Sequence, residues 1–365
     1  MRGELSLLLA TGLWLLAQPV LGQSVQVRSA SPVAMPAPVD SNSPAYWRDG
    51  EFNLITSTGS PLISRSWDQF SPYETEQIVV DHREHFPMWI EATWADVDGT
   101  LYGWYHHEAG GLCPGSTLTA PRIGAVVSYD GGRTFYDKGI ILASGDPVDC
   151  SAKNGFFAGG HGDFSVIVDR ERTYFYFLFG NYGGDVGGQG VAVARLAFED
   201  RDNPVGAVRK YFDGAWDEPG LGGRVTPVFP AAVSWQRADT NSFWGPSVHW
   251  NTHLGIYVVL LNHACCMPNW PQEGIYVSFN ADLSNPGGWT TPEVLLRDIG
   301  YAPGYYPEVL GTGPEDTDTV VGETARLYVQ GLSKWEITFR KAEPVEPAPE
   351  EPAEPQEPGP DEPPG

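Results

Sequence analysis

The chain has 365 residues, 41% hydrophobic and 12% aromatic, enough apolar material for a sizeable core and too much for global disorder. Asp and Glu number 46 against 22 Lys and Arg, a net charge of −24, and a surface this acidic repels phosphate backbones, so nucleic acid is excluded as a natural partner. Gly (43) and Pro (32) together make about a fifth of the residues against roughly an eighth in average usage, which replaces long helices with many short strands joined by turns.

Taken in chain order, Arg2 precedes an apolar run, Leu7 to Ala17, broken only by Thr11 and Gly12. Val20 and Gly22 then precede a small-residue cleavage point before Gln23. This is the pattern of a secretory signal over residues 1–22, and the run is short for a membrane span; a retained anchor is the alternative. The expected mature chain is secreted or periplasmic, not inserted in a membrane, and a monomer. Residues 23–39, rich in Ser, Pro and Ala, are expected to be a flexible lead-in.

From Asp40 to Lys341 no amphipathic helix is evident. Aromatic or alternating runs such as Glu51–Thr58, Thr100–His106, Thr173–Phe179 and Gly255–Leu261 are separated by turn pairs such as Asp98-Gly99 and Asp130-Gly131, the pattern of strands and hairpins. The runs fall into five groups that begin at Asn42–Trp47, Trp89–Trp94, Gly160–Phe164, Trp244–Val248 and Tyr305–Val309. Their spacing suits four-stranded blades with loop insertions, so the expected fold is an all-β, five-bladed propeller over 40–341. A Greek-key sandwich is the structural alternative.

Ser128-Tyr129-Asp130-Gly131-Gly132-Arg133-Thr134-Phe135 resembles the Asp-box of sialidases and related propellers. In physical terms it is a hairpin turn in which Asp caps backbone amides and glycines accept positive φ, so it speaks to fold and not to chemistry. Ser278 to Trp289 looks like a degraded second copy in a later blade. A sialidase-like site would need several arginines gripping a substrate carboxylate, and the segments expected to be innermost are poor in Arg. In an exported chain the four cysteines are expected to be oxidised. Cys113 with Cys150 would close one loop and Cys265 with Cys266 are adjacent, but spacing leaves all three connectivities open.

The innermost strand of each blade lines a central funnel, so chemistry is expected in the five group-starting segments. They bring Asp40, Glu91, Asp163 and Glu308. Carboxyls crowded in one cavity raise one another's pKa, leaving a protonated acid beside ionised partners, which is what glycoside hydrolysis needs. Each also has a structural reading: Asp40 as a turn cap, and Glu91, between Ile90 and Ala92, as half of a buried pair with an Arg such as Arg122. Asn42, Trp89, His106, Arg122, His161, Trp244 and Tyr306 are the expected substrate-binding residues, since sugar rings stack on Trp and Tyr while hydroxyls meet polar side chains; Trp47, Trp94 and Trp104 lie nearby, and packing between blades is the other use for such rings.

At this point the sequence resembles the five-bladed propeller glycosidases, the arabinanase/xylosidase and invertase-like families. Asp40-x-Asn42-x-Pro44 followed by an aromatic strand looks like their first-blade signature. The resemblance implies a base or nucleophile at Asp40, a pKa-tuning acid at Asp163, and a Glu as general acid, at Glu308 or Glu91. The families carry that Glu on the third blade, where this chain offers His161-Gly162-Asp163. A non-catalytic propeller that binds carbohydrate or protein is the rival reading.

No cofactor motif emerges. The Gly-rich run from Gly180 to Gly190 precedes no helix and so cradles no dinucleotide. His82, His85 and His106 do not have convincing zinc spacing. Glu315-Asp316-Thr317-Asp318 has the composition of a calcium loop or of a solvated one, and calcium stays open. From Ala342 to Gly365 there are nine prolines, seven glutamates, one aspartate and no basic residue, which reads as a disordered, solubilising tail or spacer, with a binding segment as the alternative.

Overall fold

The structure, a computed structural model, describes residues 23–268, 270–297 and 304–341. The expected signal peptide and acidic tail lie outside them. The strands, in chain order, are β1 (Ser24–Ala34), β2 (Ala45–Arg48), β3 (Glu51–Thr56), β4 (Leu62–Ser66), β5 (Glu74–Gln77), β6 (Val79–Val80), β7 (Met88–Ala95), β8 (Leu101–Ala109), β9 (Ala120–Ser128) and β10 (Thr134–Leu142). They continue as β11 (His161–Val168), β12 (Tyr174–Asn181), β13 (Gly190–Ala197), β14 (Arg209–Phe212), β15 (Ala215–Pro219), β16 (Phe229–Pro230), β17 (Asn241–Asn251) and β18 (Ile256–Cys265). The last are β19 (Gln272–Asn280), β20 (Glu293–Leu296), β21 (Pro307–Gly311), β22 (Val320–Val321), β23 (Thr324–Val329) and β24 (Leu332–Arg340).

These strands form five sheets, antiparallel along β2-β3-β4-β5, β7-β8-β9-β10, β11-β12-β13-β14-β15, β17-β18-β19-β20 and β21-β23-β24-β1, with the short β6 and β22 added parallel to β10 and β17 and β16 paired to β13. The fold is a five-bladed β-propeller, as the spacing predicts, and each of the five group-starting segments contains or abuts the innermost strand of its blade. The last sheet brings a correction. Residues 24–34 are not a flexible lead-in: β1 pairs with β24 from Ser24↔Arg340 to Ala34↔Leu332 and supplies the outer strand of the fifth blade, so the propeller begins near Ser24 and not at Asp40. Its Ser and Pro content belongs to an edge strand whose faces are mostly wet; the Val25-Gln26-Val27 alternation was the signal available.

Each pair of neighbouring blades shares one apolar core. Phe164, Phe175 and Phe177 of the third blade meet Trp104 and Ile123 of the second, and Val309 and Leu327 of the fifth meet Val258 and Leu260 of the fourth. Leu54 and Phe52 of the first meet Leu310 and Tyr328 of the fifth. Burial of one such side chain stabilises by roughly 1.5–3 kcal/mol. Trp104 packs on Phe175 and Phe177 at ring separations of 5.0 and 5.7 Å, so it is a packing residue.

The turn at Ser128–Thr134 shows how a hairpin is locked. Asp130 Oδ1 accepts the amides of Arg133 at 3.1 Å and Thr134 at 2.9 Å, while Gly131 and Gly132 take φ of 75° and 84°, a region open to glycine at little cost. The disulfides are Cys113–Cys150 and Cys265–Cys266, one of the three pairings that sequence left open.

Candidate functional site

The inner strands run in the same sense around the axis, so their N-terminal ends gather at one mouth. Asn42 ties them there. Its amide donates to the carbonyls of Phe164 and Pro246, both at 2.8 Å, linking blades one, three and four. Asn42 is therefore a structural tie at the axis.

Around this tie the carboxyls converge, each held differently. Glu91, from β7, is 3% exposed. His106 Nδ1, on the neighbouring β8, donates to Glu91 Oε1 at 3.1 Å, and the Phe164 amide donates to Oε2 at 2.8 Å. The buried partner anticipated for Glu91 is thus a histidine and not Arg122. Burial, then weakened by the His106 contact, pushes the Glu91 carboxyl up to about 7. Burial alone would push His106 down, but the hydrogen bond and charge of Glu91, with the charges of Asp163 and Glu108, carry it up to about 9. The histidine of this pair is held protonated near neutral pH, because it is the cation that faces the buried carboxylate among the described residues. Gly162 sits against this imidazole: a Cβ there would lie 2.8 Å from His106 Cε1, so a larger residue would displace the ring.

Asp163 lies in β11 at φ 44°, a left-handed conformation that costs a non-glycine residue roughly 1–2 kcal/mol. The turn aims its carboxylate at two tyrosines. Tyr182 donates to Oδ2, and Tyr306 donates to Oδ1 at 3.0 Å. Tyr306 is itself at φ 52°, its amide donating to Asn262 Oδ1 at 2.9 Å. Backbone strain concentrated around one carboxylate is the kind of outlier that marks a working site. Both tyrosine hydroxyls are pushed well above their usual range by burial and by the Asp163 charge, so they remain donors.

Asp40 and Glu108 face the opening. Asp40 is exposed to solvent on its outer side, yet the walls of the funnel and the charges of Asp163 and Glu108 push its carboxyl up to about 6. Glu108, absent from the expected site, stands with Oε1 3.6 Å from His106 Nε2 and Oε2 accepting from Thr119 at 2.8 Å. Strand alternation, which puts residues 106 and 108 on one face, was the signal for it; Tyr182, in the Gly-rich run, had none.

Glu308 also lies by the axis, near the start of β21, but is closed off by burial. It is 1% exposed, its Oε2 accepts the Ser43 amide at 2.8 Å, and burial pushes it well above the carboxylate range. It makes no hydrogen bond to Asp40, Glu91 or Asp163 among the described residues.

The other expected ligand contacts divide. Trp89 lies beside His106, ring centroids 5.5 Å apart, at the funnel wall. Trp244 packs edge-on to Tyr306 at 5.6 Å and against Trp270 at 5.4 Å, part of an aromatic cluster with Phe157, Tyr182 and Trp235 that backs Asp163. Arg122 is not brought to the site: it is exposed and opposite His107 in the ladder, on the face away from Glu91. His161 is fully buried against Phe179 at 4.8 Å, and burial holds its pKa well down; it touches none of the acids.

Ligand atoms of Glu91, His106 and Asp163 lie within 4.8 Å of one another, so these three are the described residues that could hold a cation; the carboxylate oxygens already accept hydrogen bonds, while His106 Nε2 has no hydrogen-bond partner among the described residues. The Glu315–Asp318 run does not converge. Asp316 Oδ2 accepts the amides of Gly313 and Gly322 at 3.0 and 3.2 Å, whereas Asp318 turns inward to the Ala45 amide at 3.0 Å.

No protein-family model matches the chain, and no curated protein matches it. Among solved structures, the endo-arabinase of Bacteroides thetaiotaomicron VPI-5482 is similar over 85% of this chain and 96% of its own, at 13% identity and a TM-score of 0.50. The alpha-L-arabinanase of Cellvibrio cellulosa covers 82% of this chain and 91% of its own, at 12% identity and a TM-score of 0.47. The likeness is one of fold. The structural neighbours are five-bladed β-propeller glycosidases, the architecture expected from the group spacing.

Proposed function

We propose that this chain is an exported glycoside hydrolase whose site is the acidic mouth of the propeller. The observation that carries the reading is the convergence of Asp40, Glu91 with Glu108, and Asp163 from three different blades, with Asp40 pushed up to about 6. Cleavage of a glycosidic bond needs two carboxyls flanking it, one to protonate the leaving oxygen and one to act as base or nucleophile. Asp40 is the base or nucleophile, since it is the carboxyl open to solvent. Glu108, a quarter exposed at its side chain, is the acid that reaches the leaving oxygen. Glu91, His106 and Asp163 act behind them: every oxygen of Glu91 and Asp163 already has a donor, so they set charge and orientation. This assignment moves the acid from Glu308 or Glu91 to Glu108, because Glu308 is sealed and Glu91 is committed to His106. Trp89 and Tyr306 offer ring faces to a sugar. Export is supported by the sequence of residues 1–22 and by two disulfides, which persist in oxidising compartments.

The second reading, a carbohydrate-binding propeller without catalysis, is favoured by one observation: the carboxylates of Glu91 and Asp163 are fully occupied. The test is release of reducing sugar from a panel of arabinans, xylans, galactans, fructans and uronic-acid glycans. Release that disappears in Asp40→Asn and Glu108→Gln supports hydrolysis, whereas binding without release supports the second reading and removes the first.

A further inference from the structure

The far end of the axis has a different composition. There a cavity of about 500 Å³ is lined by Trp94, Trp250, Arg170, Arg172 and Thr319 among others. The guanidinium of Arg170 stands over Trp250 at 5.0 Å, and that of Arg172 over Trp94 at 6.0 Å. Arg172 is held at φ 54°, a strained conformation for a non-glycine residue, at the corner of the hairpin joining β11 to β12. Among the described residues neither guanidinium pairs with a carboxylate, whereas eight of the other fourteen arginines do. Asp169 on the same hairpin spends its carboxylate on the amides of Thr173 and Tyr174, at 2.6 and 3.1 Å; Glu171, between the two arginines, is exposed. In a chain of net charge −24, two arginines free of acidic partners beside two half-buried tryptophans form a site for something both anionic and ring-bearing.

The chain carries such a segment. β24 runs from the mouth at Leu332, opposite Val329, to the far end at Arg340, opposite Ser24. The Phe339 amide donates to the Glu323 carbonyl at 2.8 Å, and Glu323 lies three residues beyond Val320 in the wall of this cavity. β24 therefore ends on the same face as Arg170 and Arg172, and residues 342–365, with nine prolines and eight acids, follow it in the chain. In an extended polyproline conformation a segment of this length would reach roughly 70 Å, at ~3.1 Å per residue. Proline rings dock on aromatic grooves, and the glutamates between them complement guanidinium groups.

We infer that the Pro/Glu segment 342–365 docks intramolecularly on the Arg170–Arg172–Trp94–Trp250 cleft, giving the acidic segment a destination beyond the spacer role that its composition suggests. The inference is independent of the glycosidase reading. It is tested on the full chain by hydrogen–deuterium exchange of the Asp169–Thr173 hairpin. Exchange there is expected to be about tenfold slower in the native chain than in a full-length chain whose seven tail glutamates are changed to Gln and Asp361→Asn. Half-molar salt should erase the difference, and a synthetic 342–365 peptide added to the neutralised chain should restore protection. Arg170→Glu with Arg172→Glu should abolish it, and the tail substitutions and peptide decide the matter should that variant misfold. Equal exchange in native and neutralised chains overturns the inference. Protection that grows with protein concentration overturns it too, by assigning the cleft to the tail of a second copy.

Discussion

At the mouth of the propeller Asp40, Glu91, Glu108 and Asp163 crowd around one histidine; at the far end Arg170 and Arg172 lie over tryptophans with no ion pair to a carboxylate among the described residues. Both ends are made from the same five inner strands. Direction along the strand separates them: Glu91 opens β7 and Trp94 closes it, Asp163 opens β11 and Asp169-Arg170 follow it, Trp244 begins β17 and Trp250 ends it. Each blade thus delivers one chemistry to one face and another to the opposite face, and the packed cores between blades insulate the two.

The sharpest way to break the contrast is at Asp40. Asp40→Asn is expected to lower kcat/KM by roughly 10²–10⁴-fold with an unchanged melting temperature and unchanged exchange in the far hairpin. Because Asp40 works ionised, activity should rise as pH climbs through about 6, and the residual activity of the variant should lack that limb. A pH–rate profile with no limb in this region removes Asp40 from the chemistry.

Next in size is the buried pair. His106→Ala leaves Glu91 buried with no cation and is expected to cost about 3–5 kcal/mol in chemical denaturation, whereas replacing both residues with Met should cost much less. Equal losses for the single and the double variant would show that the pair contributes packing alone.

Asp318 offers a smaller, pH-dependent effect. Burial pushes it up to about 7 against an ordinary value of 3.8. A raised acid contributes stability below its unfolded pKa and loses it as pH rises through the folded one. Asp318→Asn keeps an acceptor for the Ala45 amide, so it should flatten stability between about pH 4 and 7 and gain ~1–4 kcal/mol over the parent at pH 8, read by urea melts. The least effect belongs to Arg28 and Glu336, bonded at 2.9 Å from Nε across the ring closure, with Arg28 69% exposed. Glu336→Gln should shift stability by less than about 1 kcal/mol.

The blade starts were legible because each announces itself with a Trp, Pro or acid after a turn, and because inner strands are buried on both sides. Glu91, Asp163 and the approach of Asp40 followed from that periodicity. What composition could not supply was the partner of each acid. Arg122 and His106 are both plausible neighbours of Glu91 by alternation, but the ladder pairs Trp89 with His106 and places Arg122 one strand further out. Glu308 illustrates the same limit: its blade position was right, and only the register to Ser43 reveals that it points into protein. β1 escaped notice because an outer strand needs little apolar patterning.

The pairing of β1 with β24 joins residues from 298 to 316 positions apart, from Ala34↔Leu332 to Ser24↔Arg340. The circle cannot be fastened until the final hairpin exists and finds β1, which makes closure the most entropically demanding pairing in the molecule and a late one. Clipping either terminal strand would unbutton the fifth blade from its neighbour, and splicing the two ends together while cutting at an exposed turn elsewhere should yield a permuted ring that still shuts.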